Sequence, residues 1–230
     1  IFSGDWSSDV CSSDLPPTGR SKPPLGAGKA GQPPGGPEFW KAVIPMNLFS
    51  HITMGRYLYR YFTQNMDVEL DKKTFVAWNV LPDIAPSLLR LSHFKKDIYD
   101  LVMAKAEHLA RHGEEMTVQE FSKQLGILCH FMSDFFCYAH SEQFDGSKIG
   151  HLRYEIFMQF YGYRRRSMLH AVDLICNAAE ANPSLALYEQ INELHDQYSS
   201  LSPSYGVDFV FSLTACVELM LGMQAEAGTP

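Results

Sequence analysis

Between Gly126 and Glu155 the chain sets five potential metal ligands at helical spacing, inside a stretch that is otherwise largely apolar. His130 and Asp134 are four apart in LGILCHFMSDFFCYAH, His140 follows six residues later, and His151 and Glu155 are again four apart in HLRYE. A spacing of four places two side chains one above the other on the same helix face. Imidazole nitrogen paired with carboxylate oxygen suits zinc where thiolate is absent. Asp134 constrains the fold most, because its neighbours Phe131, Met132, Phe135 and Phe136 are apolar. A buried carboxylate without a partner costs several kcal/mol, and a bound cation is one way to offset that cost. Either pair alone also fits a core histidine or a surface ion pair. Two pairs with a histidine between them favour a metal cluster.

The rest of the chain reads as helices. Ser50 is expected to cap a helix over Ile52–Tyr61, which puts His51 in its first turn. Asp71 is expected to open a second helix, KKTFVAWNVL, ending before Pro82, with Asp83 at the exit. An aspartate there also fits an ordinary turn former. His93 precedes a helix over Lys96–Arg111. His108 and His112 repeat the spacing of four, but they lie on a charged face beside Gly113 and read as a solvated helix C-terminus. Thr117-x-x-Glu120 is a capping box that opens the long helix carrying His130 and Asp134. Arg164–Arg166 reads as a solvated helix start, and helices are expected over Ser167–Ala181, Pro183–Ser199 and Tyr205–Met223. The last contains Asp208 and Glu218 and reads as a core helix, not a membrane span. With no β-type alternation of any length, the class is all-α: one compact multi-helix domain.

The N-terminal region falls outside that domain. Asp5–Leu15 reads DWSSDVCSSDL, the string a common sequencing-adapter oligonucleotide gives when translated in one frame, so Ile1–Leu15 is expected to be an assembly artefact. Pro16–Pro37 is rich in Pro and Gly with few large apolar residues and is expected to stay unfolded. The expected division is therefore 1–45 as artefact or linker and 46–230 as the domain, with Met46 as the start. Met46–Pro230 carries 15 Lys and Arg against 22 Asp and Glu, a net of −7. That acidity argues against a stable nucleic-acid partner, since phosphate binding normally needs a basic surface. Cys129, Cys137, Cys176 and Cys216 form no C-x-x-C pair and read as buried free thiols. Free thiols and the lack of a charged-then-apolar leader before Met46 lead to an expectation of the cytoplasm.

Taken in order, the candidate ligands resemble the bacterial zinc-dependent phospholipase C family, which shares its fold and metal cluster with the fungal single-strand-specific zinc nucleases. His130-x3-Asp134-x5-His140 and His151-x3-Glu155 match the second half of the family pattern. Upstream, Phe49-Ser50-His51 resembles its first ligand helix, Asn79-Val80-Leu81-Pro82-Asp83 its aspartate-bearing turn, and Ser92-His93-Phe94 its next histidine. The resemblance implies one zinc held by Asp83, His93, His130 and Asp134, and a second by His140, His151 and Glu155. Asp134 would bridge toward a third position with His51. Secreted relatives complete that third site with a processed N-terminal tryptophan, and this sequence departs from them there: Trp40 is internal, so two ions are expected and the third is open.

By the same resemblance the protein hydrolyses the glycerol-side phosphodiester of a phospholipid, meeting the head group at a membrane surface, with Asp83 as general base. Choline-selective relatives carry aromatic residues where this chain has Ile84 and Arg90. The cation–π cage for a quaternary ammonium is not carried over, and Arg90 points instead to an anionic head group. Three alternatives stay open at this stage: a single-strand nuclease built on the same cluster, a helical module whose zinc is structural, and an all-α interaction domain with no metal.

Overall fold

The structure is a computed structural model that describes residues 37–88, 90–144, 146–164 and 186–227; within it, the side chains of 37–49, Lys148, Glu155, Gln159, 162–164 and Ala227 fall outside the description. The adapter-like string, Cys176 and the helix expected over Ser167–Ala181 lie outside the described residues. Seven α-helices occur among the described residues, with no strand: α1 (Pro37–Asn65), α2 (Lys72–Trp78), α3 (Lys95–His112), α4 (Val118–Phe135), α5 (Lys148–Arg164), α6 (Leu187–Ser200) and α7 (Tyr205–Ala227). Short 3-10 turns at Leu81–Asp83 and Tyr138–His140 interrupt the connections. The all-α class is as the sequence implies.

Helix α4 is the axis of the domain. Its capping box forms as expected: the Glu120 N–H donates to Thr117 Oγ1 at 3.2 Å, and the Thr117 N–H donates to the Glu120 carboxylate at 3.1 Å. From Leu125 to Phe135 every residue of α4 is buried. Helices α2, α3 and α7 pack around it, α1 lies against α2 and α5, and α5 and α6 both pack on α7. Burying a Leu- or Phe-sized side chain contributes about 1.5–3 kcal/mol, and the core takes in Phe62, Phe75, Phe131, Phe136, Leu125 and Leu128.

Helix α7 is long and apolar enough to cross a membrane by composition, but in this fold it is the core helix the sequence suggests. Phe209, Leu213, Val217 and Met220 are buried, as are Asp208 and Glu218. Ser212 Oγ donates to the Ser133 carbonyl at 2.9 Å and so ties α7 to α4. Cys129, Cys137 and Cys216 are buried free thiols.

Three expected boundaries are corrected. Helix α1 runs unbroken from Pro37, so Ser50 is an interior residue and not an N-cap, and His51 sits mid-helix. Helix α2 stops at Trp78 instead of continuing toward Pro82, because the Asn79 side chain takes the Phe75 carbonyl at 3.0 Å and the chain turns into the 3-10 turn containing Pro82. Helix α6, expected from Pro183, begins at Leu187 among the described residues, where the Glu189 carboxylate accepts the Ala186 N–H at 3.2 Å.

Two glycines set the spacing between helices at the centre of the fold. A Cβ on Gly126 of α4 would lie 2.8 Å from the Phe75 carbonyl oxygen, and one on Gly55 of α1 would lie 3.2 Å from Asn79 Cβ. Gly126 stands one turn before His130, and Gly55 one turn after His51. The missing side chains let the end of α2 settle between α1 and α4, beside both histidines.

Candidate metal centre

Six of the expected residues converge from five elements. His51 comes from the middle of α1, Asp83 from the 3-10 turn after α2, and His93 from the segment before α3. His130 and Asp134 share one face of α4, and His140 ends the second 3-10 turn. Asp134 is at the middle. Its Oδ2 lies 2.6 Å from His93 Nδ1 and 3.3 Å from His130 Nε2, while its Oδ1 lies 3.4 Å from His51 Nε2 and 3.7 Å from His140 Nε2. Asp83 faces the same group: Oδ1 is 3.6 Å from His130 Nε2 and 3.8 Å from His93 Nδ1, and Oδ2 is 3.7 Å from His51 Nε2.

These distances test the fit to zinc. A tetrahedron with ligand bonds of about 2.0–2.1 Å has edges of about 3.3–3.4 Å. Among Asp83 Oδ1, His93 Nδ1, His130 Nε2 and Asp134 Oδ2, the five separations that involve a histidine are 2.6, 3.3, 3.4, 3.6 and 3.8 Å. Four of the five lie close to such an edge. The fifth, His93–Asp134, is a hydrogen bond that must lengthen when a cation enters. Two nitrogen and two carboxylate oxygen donors suit zinc. His51, Asp83 and His130 form a second, overlapping group of the right size.

The second expected set is only partly visible. The rings of His140 and His151 stand edge to face, with centroids 4.6 Å apart. His151 lies on α5. The Glu155 side chain, one turn further along, lies outside the described residues. The His108 and His112 rings lie tilted against each other, centroids 4.7 Å apart, near the end of α3 where the sequence places them, apart from this cluster.

Partners behind the donors aim them. His130 Nδ1 donates to the Asn79 carbonyl at 2.9 Å, which leaves Nε2 as the atom facing both aspartates. Ser133 Oγ donates to the His130 carbonyl at 2.8 Å, so its lone pairs face His51 Nδ1 at 3.4 Å. Such outer contacts fix the tautomer and ring orientation of metal-ligating histidines. Asp208 of α7 accepts the Tyr138 N–H at 2.8 Å and the Tyr198 O–H at 3.0 Å, anchoring the turn that carries His140. Sequence reasoning missed all three of these positioning residues. A backbone carbonyl leaves no mark on residue identity, and a serine in a helix looks ordinary. Only Asp208, a carboxylate in an apolar helix, carries a readable signal.

The electrostatics of His130 and Asp134 match the needs of a cation site, while those of His93 favour a proton that a cation would displace. Burial pushes the His130 imidazole down to about 4, so it is neutral with a free lone pair at pH 7. Burial works against the Asp134 charge, but His140, His130 and His51 around it hold the carboxyl well below the usual range. For His93, burial opposes protonation, yet the hydrogen bond to Asp134 and the charges of Asp134 and Asp83 outweigh it and raise the pKa. Ionised carboxylate and neutral imidazole are the forms that bind metal.

The sequence profile of a family described as zinc dependent phospholipase C matches residues 50–205, a span that contains every residue of the cluster. No curated protein and no solved structure matches the chain.

Proposed function

This chain belongs to the zinc dependent phospholipase C family, and on that premise we propose that it hydrolyses the glycerol-side phosphodiester of a phospholipid, releasing diacylglycerol and a phosphorylated head group. The observation that carries this reading is the convergence of four histidines on the single carboxylate of Asp134, with Asp83 facing three of them, at 2.6 to 3.8 Å. The donor set supports Asp83, His93, His130 and Asp134 at one zinc; the neighbouring rings of His140 and His151 support a second, to which the sequence pattern adds Glu155. His51, facing both aspartates, is the residue for a third.

Zinc in such a site lowers the pKa of water and stabilises developing charge on a phosphoryl group. The protein groups divide the remaining work. Asp134 has a side chain only 4 % exposed and serves as the fixed centre. Asp83, at 23 %, is the carboxylate that solvent reaches, and it is positioned to take a proton from an attacking water. His130 and His51, aimed from behind by Asn79 and Ser133, hold their Nε2 atoms toward the centre with little freedom to turn away. Ile84 and Arg90 flank this site in sequence and are both exposed. Arg90 supports an anionic head group.

Assay of the purified protein on phosphatidylglycerol and phosphatidylcholine vesicles, with and without chelator, tests this reading. Release of diacylglycerol that stops on chelation and returns with zinc supports it. No release from either lipid, with zinc bound, would overturn it. An unchanged lipid preference in Arg90→Ala would remove the head-group assignment alone.

A further inference from the structure

A cavity of about 310 Å³ opens beside the metal centre, between the start of α3, the Tyr138–His140 turn, and α6 with the loop leading to α7. His140 lines it and is also within 3.7 Å of Asp134, so the cavity and the metal centre share a wall. The other walls are largely apolar: Phe94, Phe135, Leu201, Pro203 and Val207. Leu201 is 45 % exposed there, which places a large aliphatic side chain where the cavity meets solvent.

Most polar groups around the cavity are already engaged with the protein; the buried Ser141 Oγ, next to His140, is the exception. Lys95 Nζ donates to Asn192 Oδ1 at 2.5 Å and lies 4.5 Å above the Tyr99 ring. Lys96 is paired with Glu142. Tyr138 O–H donates to the Gln143 carbonyl at 3.3 Å, and Tyr198 O–H to Asp208 at 3.0 Å. Burial pushes His195 down to about 4, so it is uncharged at pH 7. A sugar, a base or a peptide would need several hydrogen-bond partners, and apart from the Ser141 hydroxyl these groups already give theirs to one another. A hydrocarbon chain needs none.

We propose that this cavity binds one hydrocarbon chain of the substrate, an acyl chain on the glycerol side, while the phosphate lies at the metal centre beyond His140. The assignment rests on the phosphodiesterase reading of that centre. Phe94, Leu201 and Val207 are then specificity-determining residues for chain length.

Calorimetric titration of the zinc-loaded protein with ethyl, butyl and hexyl phosphate tests it. If added methylenes enter the cavity, affinity rises about tenfold for each two of them. Val207→Trp, which fills the cavity, and Leu201→Asp, which places a charge at an exposed position and does not threaten the fold, are each expected to remove that gain. Ethyl phosphate affinity is expected to stay unchanged in both. Equal affinity for all three phosphates, or a gain that persists in both variants, would overturn the proposal. Separately, a chain-length gain lost in the variants, with no hydrolysis of dihexanoyl phosphatidylglycerol or dihexanoyl phosphatidylcholine, would leave the cavity standing and sink the phospholipase reading.

Discussion

Asp134 turns one carboxylate oxygen to His93, 2.6 Å away, and the other to His51, 3.4 Å away, so a single buried side chain faces two histidines from opposite ends of the site. It touches both overlapping donor groups. Asp134→Ala is therefore expected to lower bound zinc by more than one ion per chain, whereas His140→Ala lowers it by no more than one. Elemental analysis of the two variants checks this; equal losses would mean that Asp134 serves one ion only.

Asp83 is assigned both a ligand oxygen and the proton-accepting role. In Asp83→Asn, the amide keeps an oxygen donor and loses the base. A loss of about 10²–10⁴-fold in kcat is expected, the usual contribution of a positioned general base, with at least one zinc retained. Parallel kinetics and metal analysis decide between the roles: if zinc vanishes together with activity, Asp83 is essential as a ligand and its role as base has no support.

Much of this centre was legible in the sequence, because i, i+4 spacing is a property of the helix itself. His130 with Asp134, and His151 with Glu155, can be paired from residue numbers alone. The long-range partners His51, Asp83 and His93 were legible only through resemblance, since nothing in local periodicity brings α1 to α4. The extent of α1 was misread because Ser50 has the chemistry of a cap while the chain continues helical on both sides of it. The Asn79 carbonyl, Ser133 and the close contact at Gly126 were invisible for a related reason: their roles depend on which helix arrives opposite, not on what they are.

Gly126 provides a test of that packing. Its Cβ would meet the Phe75 carbonyl oxygen at 2.8 Å, a backbone atom that cannot swing aside. Gly126→Ala is expected to destabilise the fold by about 1–3 kcal/mol, the usual cost of overpacking. By moving α2, it also shifts Asn79 off His130 and weakens zinc binding. Denaturant unfolding and metal titration of the variant would show both effects; an unchanged midpoint would mean that the two helices adjust freely.

Glu218 lies buried in α7, and burial pushes its carboxyl up to about 7 from an ordinary 4.5. The folded state therefore prefers the neutral acid. Its stabilising contribution is fully present below about pH 4.5 and is lost as pH rises through about 7. Glu218→Gln is expected to be more stable than the parent at pH 8, by about 1–3 kcal/mol, and to lose this part of the pH dependence. Thermal unfolding at pH 5, 6.5 and 8 measures it. A variant less stable at pH 8 would contradict the assignment.

The most direct test is the zinc content of the protein, purified without a metal-affinity tag and measured by elemental analysis. Two or three zinc ions per chain are expected, falling when His130 and His151 are each replaced by alanine. Less than one zinc per chain in a folded protein, unchanged by those replacements, would contradict a metal centre built on Asp134.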